Sequence, residues 1–338
     1  MLTLRYHIVS LVAVFLALAI GVVMGTTVID SVLVDRLERQ QDTLSQGIDD
    51  LQQERDDLQG RLSQLEDADE QLSEEGQRLV DGVLADVPVL LVAVRGVESD
   101  ALDDLVATLG DAGAIYEGTL WFDEQLALED DDAPAELGRA LGLGGSTSDE
   151  VLRDITIARV AGELEDAAAA LPPVDPAVPE GPTTPTTSFE NIVALRSAGF
   201  LDYDPPDGAP DDIAALAGPG TRIVVVGGPR ASVPDDLLAR PFVAELVDGT
   251  GGDGTAVLTL AAEGDAPEEG ADRAAPFVEP LRDDDDLSGR VSTVDNIDEL
   301  AGRLAAVLAL QDLGELRFGH YGRGPGASRL LPPPAPAG

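Results

Sequence analysis

The hydrophobic pattern of the chain begins with a long apolar run near the N-terminus. The 22 residues Ile8–Ile29 carry no charged side chain. A helix rises about 1.5 Å per residue, so this run is long enough to cross a bilayer core of about 30 Å. Arg5 precedes the run, and Asp30 and Asp35 follow it. The positive-inside rule therefore predicts a single-pass membrane protein with a cytoplasmic N-terminus and the bulk of the chain extracytoplasmic.

A retained anchor at 1–29 is favoured over two alternatives. A cleaved signal peptide has an apolar core of about 7–15 residues before a small-residue cleavage site. Here the run is longer, and its small residues lie inside it. A buried helix of a soluble domain is the other alternative. Gly21 and Gly25 form a small-xxx-small pair, which predicts close approach of two spanning helices, although glycine is also common in membrane helices in general.

The next segment repeats leucine at every seventh position. These leucines are Leu37, Leu44, Leu51, Leu58, Leu65, Leu72 and Leu79. A sustained heptad keeps one apolar seam facing a partner helix, so we predict a parallel coiled-coil stalk at 30–82 and a homodimer. Arg55 and Asp69 interrupt the seam. The alternative is an amphipathic helix that packs on its own domain.

Beyond Asp86, apolar runs of the buried-strand type alternate with amphipathic segments. Strands are predicted at Val87–Gly96, Ala114–Phe122, Thr221–Gly228, Thr255–Ala262 and Arg290–Asp295. Helices are predicted at Asp100–Gly113, through most of Val233–Gly249, and from about Asn296 to Leu313. This alternation is typical of an α/β fold, and we predict a doubly wound (Rossmann-like or flavodoxin-like), mostly parallel sheet.

The extracytoplasmic α/β domain is predicted to span 87–313. It contains a proline- and threonine-rich loop at 171–190, and a C-terminal tail follows at 314–338. Proline-rich composition of this kind is typical of extended loops.

The charge balance restricts the possible partners. Sixty-four acidic residues oppose 21 basic ones, for a net charge of −43, and every basic residue is arginine. Such a surface repels nucleic acid, so we expect no nucleic-acid role. The chain has no cysteine, which excludes disulfides and thiol chemistry.

Motifs for catalysis or cofactor binding are weak, and we predict neither an enzyme nor a bound cofactor. "GTGGDG" (Gly249–Gly254) has dinucleotide-site spacing, but a predicted helix precedes it and a strand follows, which is the wrong order. In "VVVGGPRASVPDD" the acids Asp235 and Asp236 would repel an anion, so helix capping is favoured there. His320 and Tyr321, in "FGHYGRG", are candidates for a ligand or contact role, and structural packing is the alternative.

Both ends of the chain resemble one family. The segments "RYHIVSLVAVFLALAIGVVMG", "VSTVDNIDELAGRLAAVLALQDL" and "GHYGRG", with the heptad stalk, are similar to the actinobacterial copper transporter family typified by mycobacterial MctB. The resemblance implies a cell-envelope protein that acts in copper transport or homeostasis. Copper is implied only by this resemblance.

The metal ligands of the chain fit that role poorly. Copper(I) prefers sulfur ligands and copper(II) prefers imidazole, whereas the chain has two methionines, Met1 and Met24, and two histidines. The sequence therefore leaves the residues of any metal site unknown. The competing prediction is a coiled-coil envelope scaffold that binds or regulates a partner, such as cell-wall remodelling machinery.

Overall fold

The computed structural model describes residues 6–24, 52, 53, 55, 59, 75–144, 147–169, 189–249, 259–263 and 277–333. The chain divides into two compact units, Met1–Leu72 and Ser73–Gly338. In the first unit, helix α1 (Tyr6–Met24) is the one helix of the described residues that is long and apolar enough to cross a membrane. It covers most of the predicted anchor. Most of the predicted stalk, including its leucines from Leu37 to Leu72, lies outside the described residues.

The second unit alternates strands and helices, as the sequence predicts. The strands are β1 (Pro88–Val94), β2 (Ile115–Phe122), β3 (Leu201–Asp204), β4 (Arg222–Gly227), β5 (Thr259–Glu263), β6 (Ser292–Val294) and β7 (His320–Tyr321). The helices are α2 (Ser99–Asp111), α3 (Ala133–Ala140), α4 (Asp149–Ala169), α5 (Glu190–Ser197), α6 (Ala239–Asp248), α7 (Glu279–Asp283) and α8 (Leu300–Leu313). Short 3-10 turns lie at Glu124–Ala127 and Ile213–Ala215.

All seven strands form one sheet in the order β3-β2-β1-β4-β5-β6-β7. Every neighbouring pair is parallel except β2 and β3, which are antiparallel. The chain builds outward from β1 in one direction and from β4 in the other, so the order reverses between them. This confirms the prediction of a doubly wound, mostly parallel α/β sheet.

The central strands are apolar on both faces because helices cover both faces. In β1, Leu90, Val92 and Val94 contribute to one core, while Val89 and Leu91 contribute to the other. The first core packs under α3, α4, α5 and α6, and the second packs under α2 and α8. Because both faces are buried, these strands do not show the alternation of polar and apolar positions that is typical of a half-exposed strand.

The chain enters the second unit through a helical turn at 75–80 that is tightly held. Val80 is fully buried, and a Cβ added to Gly76 would lie 2.9 Å from Leu304 Cδ1 of α8. The Gln77 side chain donates to Asp111 Oδ2 at 2.9 Å, at the end of α2. Leu79, the last leucine of the heptad series, is 63% exposed. The final turn of the predicted stalk segment is therefore packed against its own domain.

Two strands are absent from the sequence predictions. β3 has four residues and forms the antiparallel edge, and β7 has two residues and extends the opposite edge beyond Leu313. β7 lies within the segment assigned to the C-terminal tail, and Tyr321 also forms a parallel bridge with Arg329. The sheet thus extends further along the chain than its apolar runs indicate.

Two predicted helix starts are wrong by several residues. α8 begins at Leu300 instead of near Asn296, because Asn296 adopts a left-handed conformation (φ 64°) that interrupts a helix. α6 begins at Ala239, and its N-cap Leu238 makes no side-chain capping bond. The predicted capping role of Asp235 and Asp236 is therefore wrong, since both precede the helix by several residues.

Candidate functional site at the carboxyl edge of the sheet

Ligands of doubly wound sheets bind at the carboxyl ends of the strands, in the crevice where the strand order reverses. In this chain the crevice between β1 and β4 is occupied by backbone. Ser232 N–H donates to the Arg95 carbonyl at 2.7 Å, joining the loop after β4 to the loop after β1. A Cβ at Gly96 would collide with the Arg230 carbonyl. The loops after β1 and β4 are therefore in direct contact across this crevice.

Acidic side chains follow the next three parallel strands instead. Asp235 comes after β4, Glu263 ends β5, and Asp295 directly follows β6. Asp235 is 7% exposed and Glu263 is 9% exposed. Because the carboxyl ends of parallel strands meet at one edge, these groups form a row along it.

Asp235 has unusual surroundings for an acid. Its Oδ1 would lie 2.7 Å from a Cβ at Gly227, where the Phe277 ring also approaches. Within the described part of the chain, this oxygen is buried with no hydrogen-bond partner. Burial raises the pKa of Asp235 to about 7, a backbone hydrogen bond at Gly228 lowers it in part, and the nearby charge of Glu263 raises it. The neutral form of this acid therefore persists to a higher pH in the folded protein than in an ordinary aspartate.

Glu263 has two backbone hydrogen bonds where Asp235 has one. Its Oε2 accepts a hydrogen bond from the Val278 backbone N–H at 3.2 Å. Burial raises the pKa of Glu263, and backbone hydrogen bonds at Val278 and Phe277 oppose this increase. These bonds favour the ionised form, so Glu263 is the better-stabilised carboxylate of the two.

A buried ion pair holds the third acid. Arg282, whose side chain is 1% exposed, donates to Asp295 Oδ2 at 2.8 Å. The same guanidinium donates to Thr293 Oγ1 at 2.8 Å and to the carbonyls of Tyr321 and Pro325 at 2.8 and 2.9 Å. Arg282 therefore ties α7, β6, β7 and the following loop together.

The "GHYGRG" motif wraps around this ion pair. The backbone N–H groups of Arg323 and Gly324 donate to the Asp295 carboxylate at 2.6 and 2.9 Å. A Cβ on Gly322 would collide with Asp295 Oδ1, and one on Gly324 would lie 2.9 Å from Oδ2. Gly322 also has φ 125°, a conformation that residues with a side chain rarely adopt. The glycines are needed so that the backbone can approach the carboxylate.

The two predicted contact residues occupy β7 beside the ion pair. His320 is half-buried, and its Nδ1 lies 2.9 Å from Thr293 Oγ1, the hydroxyl that accepts from Arg282. Burial and the Arg282 charge lower the pKa of His320, while a backbone hydrogen bond at Ser288 raises it. Tyr321 is 5% exposed, and burial raises its pKa. The surroundings of both residues are those of packed, hydrogen-bonded structural groups.

The predicted dimerisation residues are only partly described. Gly21 lies in α1, and a Cβ there would meet no atom within 4 Å, so its helix face is open. The other predicted positions lie outside the described residues, namely Gly25, Leu37, Leu44, Leu51, Leu58, Leu65 and Leu72.

The described part of the chain does not present a metal-binding cluster. Across these residues, no group of three or more histidine, cysteine, aspartate or glutamate side chains is placed to hold a metal ion. The acidic run Asp283–Asp286 forms a turn, in which Asp284 Oδ1 accepts from the Asp286 and Leu287 N–H groups at 2.9 and 3.2 Å.

Sequence reasoning missed the residues that organise this edge. Arg282 is the first residue of "RDDDD", so it resembled one surface charge among many. Glu263 directly follows one predicted strand, and Asp295 ends another within a segment that carries the family resemblance. The three glycines of "GHYGRGPG" after Tyr321 were the available signal, because glycine at this density indicates close backbone approach.

Comparison with known proteins gives a result for the full length of the chain. A family model described as "Copper transport outer membrane protein, MctB" matches residues 1–332. The copper transporter MctB of Mycobacterium tuberculosis (strain ATCC 25618 / H37Rv) is 30% identical over 345 residues, covering 97% of this chain and 98% of that protein. The copper transporter MctB of Mycobacterium leprae (strain TN) is 33% identical over 347 residues, covering 98% of this chain and 100% of that protein. The chain belongs to the MctB family of copper transport proteins.

Proposed function

We propose that this chain acts in copper transport or copper homeostasis as a membrane-anchored protein of the cell envelope. The observation that carries the proposal is the similarity to proteins named copper transporter MctB along 97% of the chain. A match of this extent includes the apolar helix, the heptad segment and the sheet together. The function therefore belongs to the whole assembly of anchor, stalk and domain.

The topology is part of the proposal. Helix α1 crosses the membrane once, with Arg5 on the cytoplasmic side and the acidic remainder outside. The heptad leucines then join two chains in parallel. We propose no enzymatic activity for it, in keeping with relatives that are named transporters.

A second candidate function is favoured by the available ligands. Tight copper sites use sulfur or imidazole, but this chain has no cysteine, and both of its methionines precede Gly25. The His320 ring already makes hydrogen bonds with the Thr293 hydroxyl and with the backbone at Ser288. This observation supports a scaffold that affects copper handling through a partner in the envelope, without binding the ion tightly itself.

Titration of the purified full-length chain in detergent micelles separates the two candidates. Direct transport through a specific site predicts selective copper binding tighter than about 1 μM, measured by calorimetry against calcium and zinc. The scaffold predicts weak binding that does not distinguish copper from the control ions. The variant His320→Ala is the matched test, because it removes the one histidine outside the N-terminal region.

A cellular measurement tests the shared part of both candidates. In a strain that lacks this gene, cellular copper measured by mass spectrometry should change on exposure to copper, and the wild-type gene should restore it. Unchanged copper content and copper tolerance in the deletion strain would contradict the proposed function as a whole.

A further inference from the structure

Asp235 and Glu263 place two buried carboxyl groups next to each other at the ends of β4 and β5. Gly227 is the register partner of Glu263 in the β4–β5 pair. Asp235 Oδ1 lies over Gly227, where an added Cβ would be 2.7 Å away. Adjacent parallel strands are about 4.8 Å apart, so the two acids are neighbours.

Among the arginines that the structure describes, neither acid has one of its own. Arg282 is engaged with Asp295, Thr293 and two carbonyl groups. Arg240 points its terminal nitrogen to within 3.9 Å of Asp236 Oδ1, and its charge lowers the pKa of Asp235 less than the Glu263 charge raises it. Asp295 adds a further negative charge near Glu263. The pair therefore carries more negative charge than its cations balance.

The hydrogen bonds of the two acids indicate which one binds the proton more readily. Glu263 accepts backbone hydrogen bonds at Val278 and Phe277, whereas Asp235 has one at Gly228 and its Oδ1 accepts none in the described part of the chain. A buried carboxylate oxygen without a partner is strongly unfavourable, and protonation removes the charge. The Phe277 ring beside Gly227 excludes water from the same position.

We propose that Asp235 and Glu263 form a proton-binding site in which Asp235 holds a proton on the acidic side of neutrality and loses it as the pH rises, which weakens the packing of the loop at 228–238 against β5. This loop is a packed segment: Ser232 N–H donates to the Arg95 carbonyl, and Val233 and Leu238 are fully buried. Release would place two negative charges side by side, which favours separation of loop and strand.

The sign of the pH dependence follows from linkage. The folded protein holds the Asp235 proton with a pKa of about 7, raised from an ordinary value of 3.8. Protonated Asp235 contributes its full stabilisation to the folded state when the pH is below 3.8, the ordinary pKa of the group. This contribution is lost as the pH rises through about 7. Ion-paired carboxylates behave in the opposite way, since they stabilise at high pH.

The variant Asp235→Asn in the full-length chain tests the proposal. Trp121, the sole tryptophan, is 9% exposed and reports unfolding by fluorescence in urea. Between about pH 5 and pH 7 the unfolding constant of the wild type should rise about tenfold per pH unit relative to that of the variant. Above about pH 8 the variant should be the more stable protein.

Asp236→Asn is the matched control, because Asp236 is adjacent, has the same charge, and has a side chain that is 61% exposed. Its pH dependence should parallel that of the wild type. The variant Glu263→Gln should move the Asp235 transition to lower pH, since it removes the neighbouring charge. Infrared spectra at pH 6 should show a protonated carboxylic-acid band that is absent in Asp235→Asn.

Three results would overturn the proposal. One is an unfolding constant for Asp235→Asn that follows the wild type at every pH, as the control does. Another is a variant that is less stable than the wild type at pH 8 or that does not fold at any pH, because a neutral isostere should be tolerated. The third is the absence of the infrared band in the wild type.

Discussion

At the scale of single residues, the chemistry of the C-terminal motif is structural. The glycines of "GHYGRG" allow the backbone to surround the Asp295 carboxylate, and Arg282 neutralises it. A buried ion pair with several hydrogen bonds is well placed to specify one arrangement of the chain, although its net stabilisation is small. The motif that carries the family resemblance thus surrounds a buried ion pair with backbone.

Replacement of Gly322 by alanine should disrupt the backbone contacts with the Asp295 carboxylate. The new Cβ would collide with Asp295 Oδ1 in a backbone conformation of φ 125°. Strain of this kind costs about 1–3 kcal/mol, so the urea midpoint of the variant should fall. Gly289→Ala is the control, because a Cβ there meets no atom within 4 Å. Equal stability of the two variants would contradict the proposed role of Gly322.

Replacement of Arg282 by methionine should cost more than the loss of a surface ion pair. Removal of one partner of a buried pair typically costs about 3–5 kcal/mol, because the other charge stays buried. Arg139→Met is the control, since Arg139 meets Glu136 at 3.5 Å with side chains 71% and 49% exposed. That pair should contribute less than about 1 kcal/mol. Chemical denaturation followed by Trp121 fluorescence compares the two.

The site was less predictable than the fold because its residues act through contacts between distant segments. Asp235 was expected to cap a helix, but α6 begins at Ala239 and leaves the acid buried against Gly227. No local pattern distinguishes Asp235 from the many exposed acids of this chain. Burial decides its protonation, and burial is set by β5 and Phe277, which are far away in sequence.

At the scale of elements, long apolar runs were predictive and short strands were not. β1 and β4 have six or seven residues and are buried on both faces, so their sequences are continuously apolar. β3 and β7 have four and two residues, and they form only because an existing strand offers its edge. Their pairing partners, and not their own composition, determine these two strands.

The junction at 75–80 connects the heptad segment to the domain, and its packing gives a third prediction. Gly76 occupies a heptad seam position, where leucine would favour a longer coiled coil. In the structure it faces Leu304 at close range, so Gly76→Leu should overpack this contact and cost about 1–3 kcal/mol. Hydrogen exchange at 75–84 should become faster as the turn leaves α8. Gly110→Leu in α2, where a Cβ meets no atom within 4 Å, should leave exchange at 75–84 unchanged.

At the scale of the whole molecule, charge opposes the association that the heptad pattern predicts. Each chain carries 21 basic and 64 acidic groups, and the difference is −43. Two such chains repel each other at low ionic strength, and salt screens this repulsion over a Debye length of about 8–10 Å at physiological ionic strength. Anchoring of both chains in one membrane raises their local concentration and imposes a parallel orientation.

We therefore expect a parallel dimer whose formation increases with salt. The chain has no native cysteine, so Leu51→Cys and Leu65→Cys each introduce a unique thiol on the predicted seam. Each variant should crosslink to its own copy in membranes. Crosslinking should increase between about 10 mM and 150 mM sodium chloride, as repulsion is screened. Gln53→Cys is the control, because its side chain lies on the opposite side of the heptad helix from the seam.

Polar replacement of Leu51, Leu58 and Leu65 together should abolish the dimer, because the seam loses its apolar contacts. Equal crosslinking at Gln53 and Leu51, or a monomer in both sedimentation and crosslinking, would show that the heptad pattern serves a helix packed on its own domain.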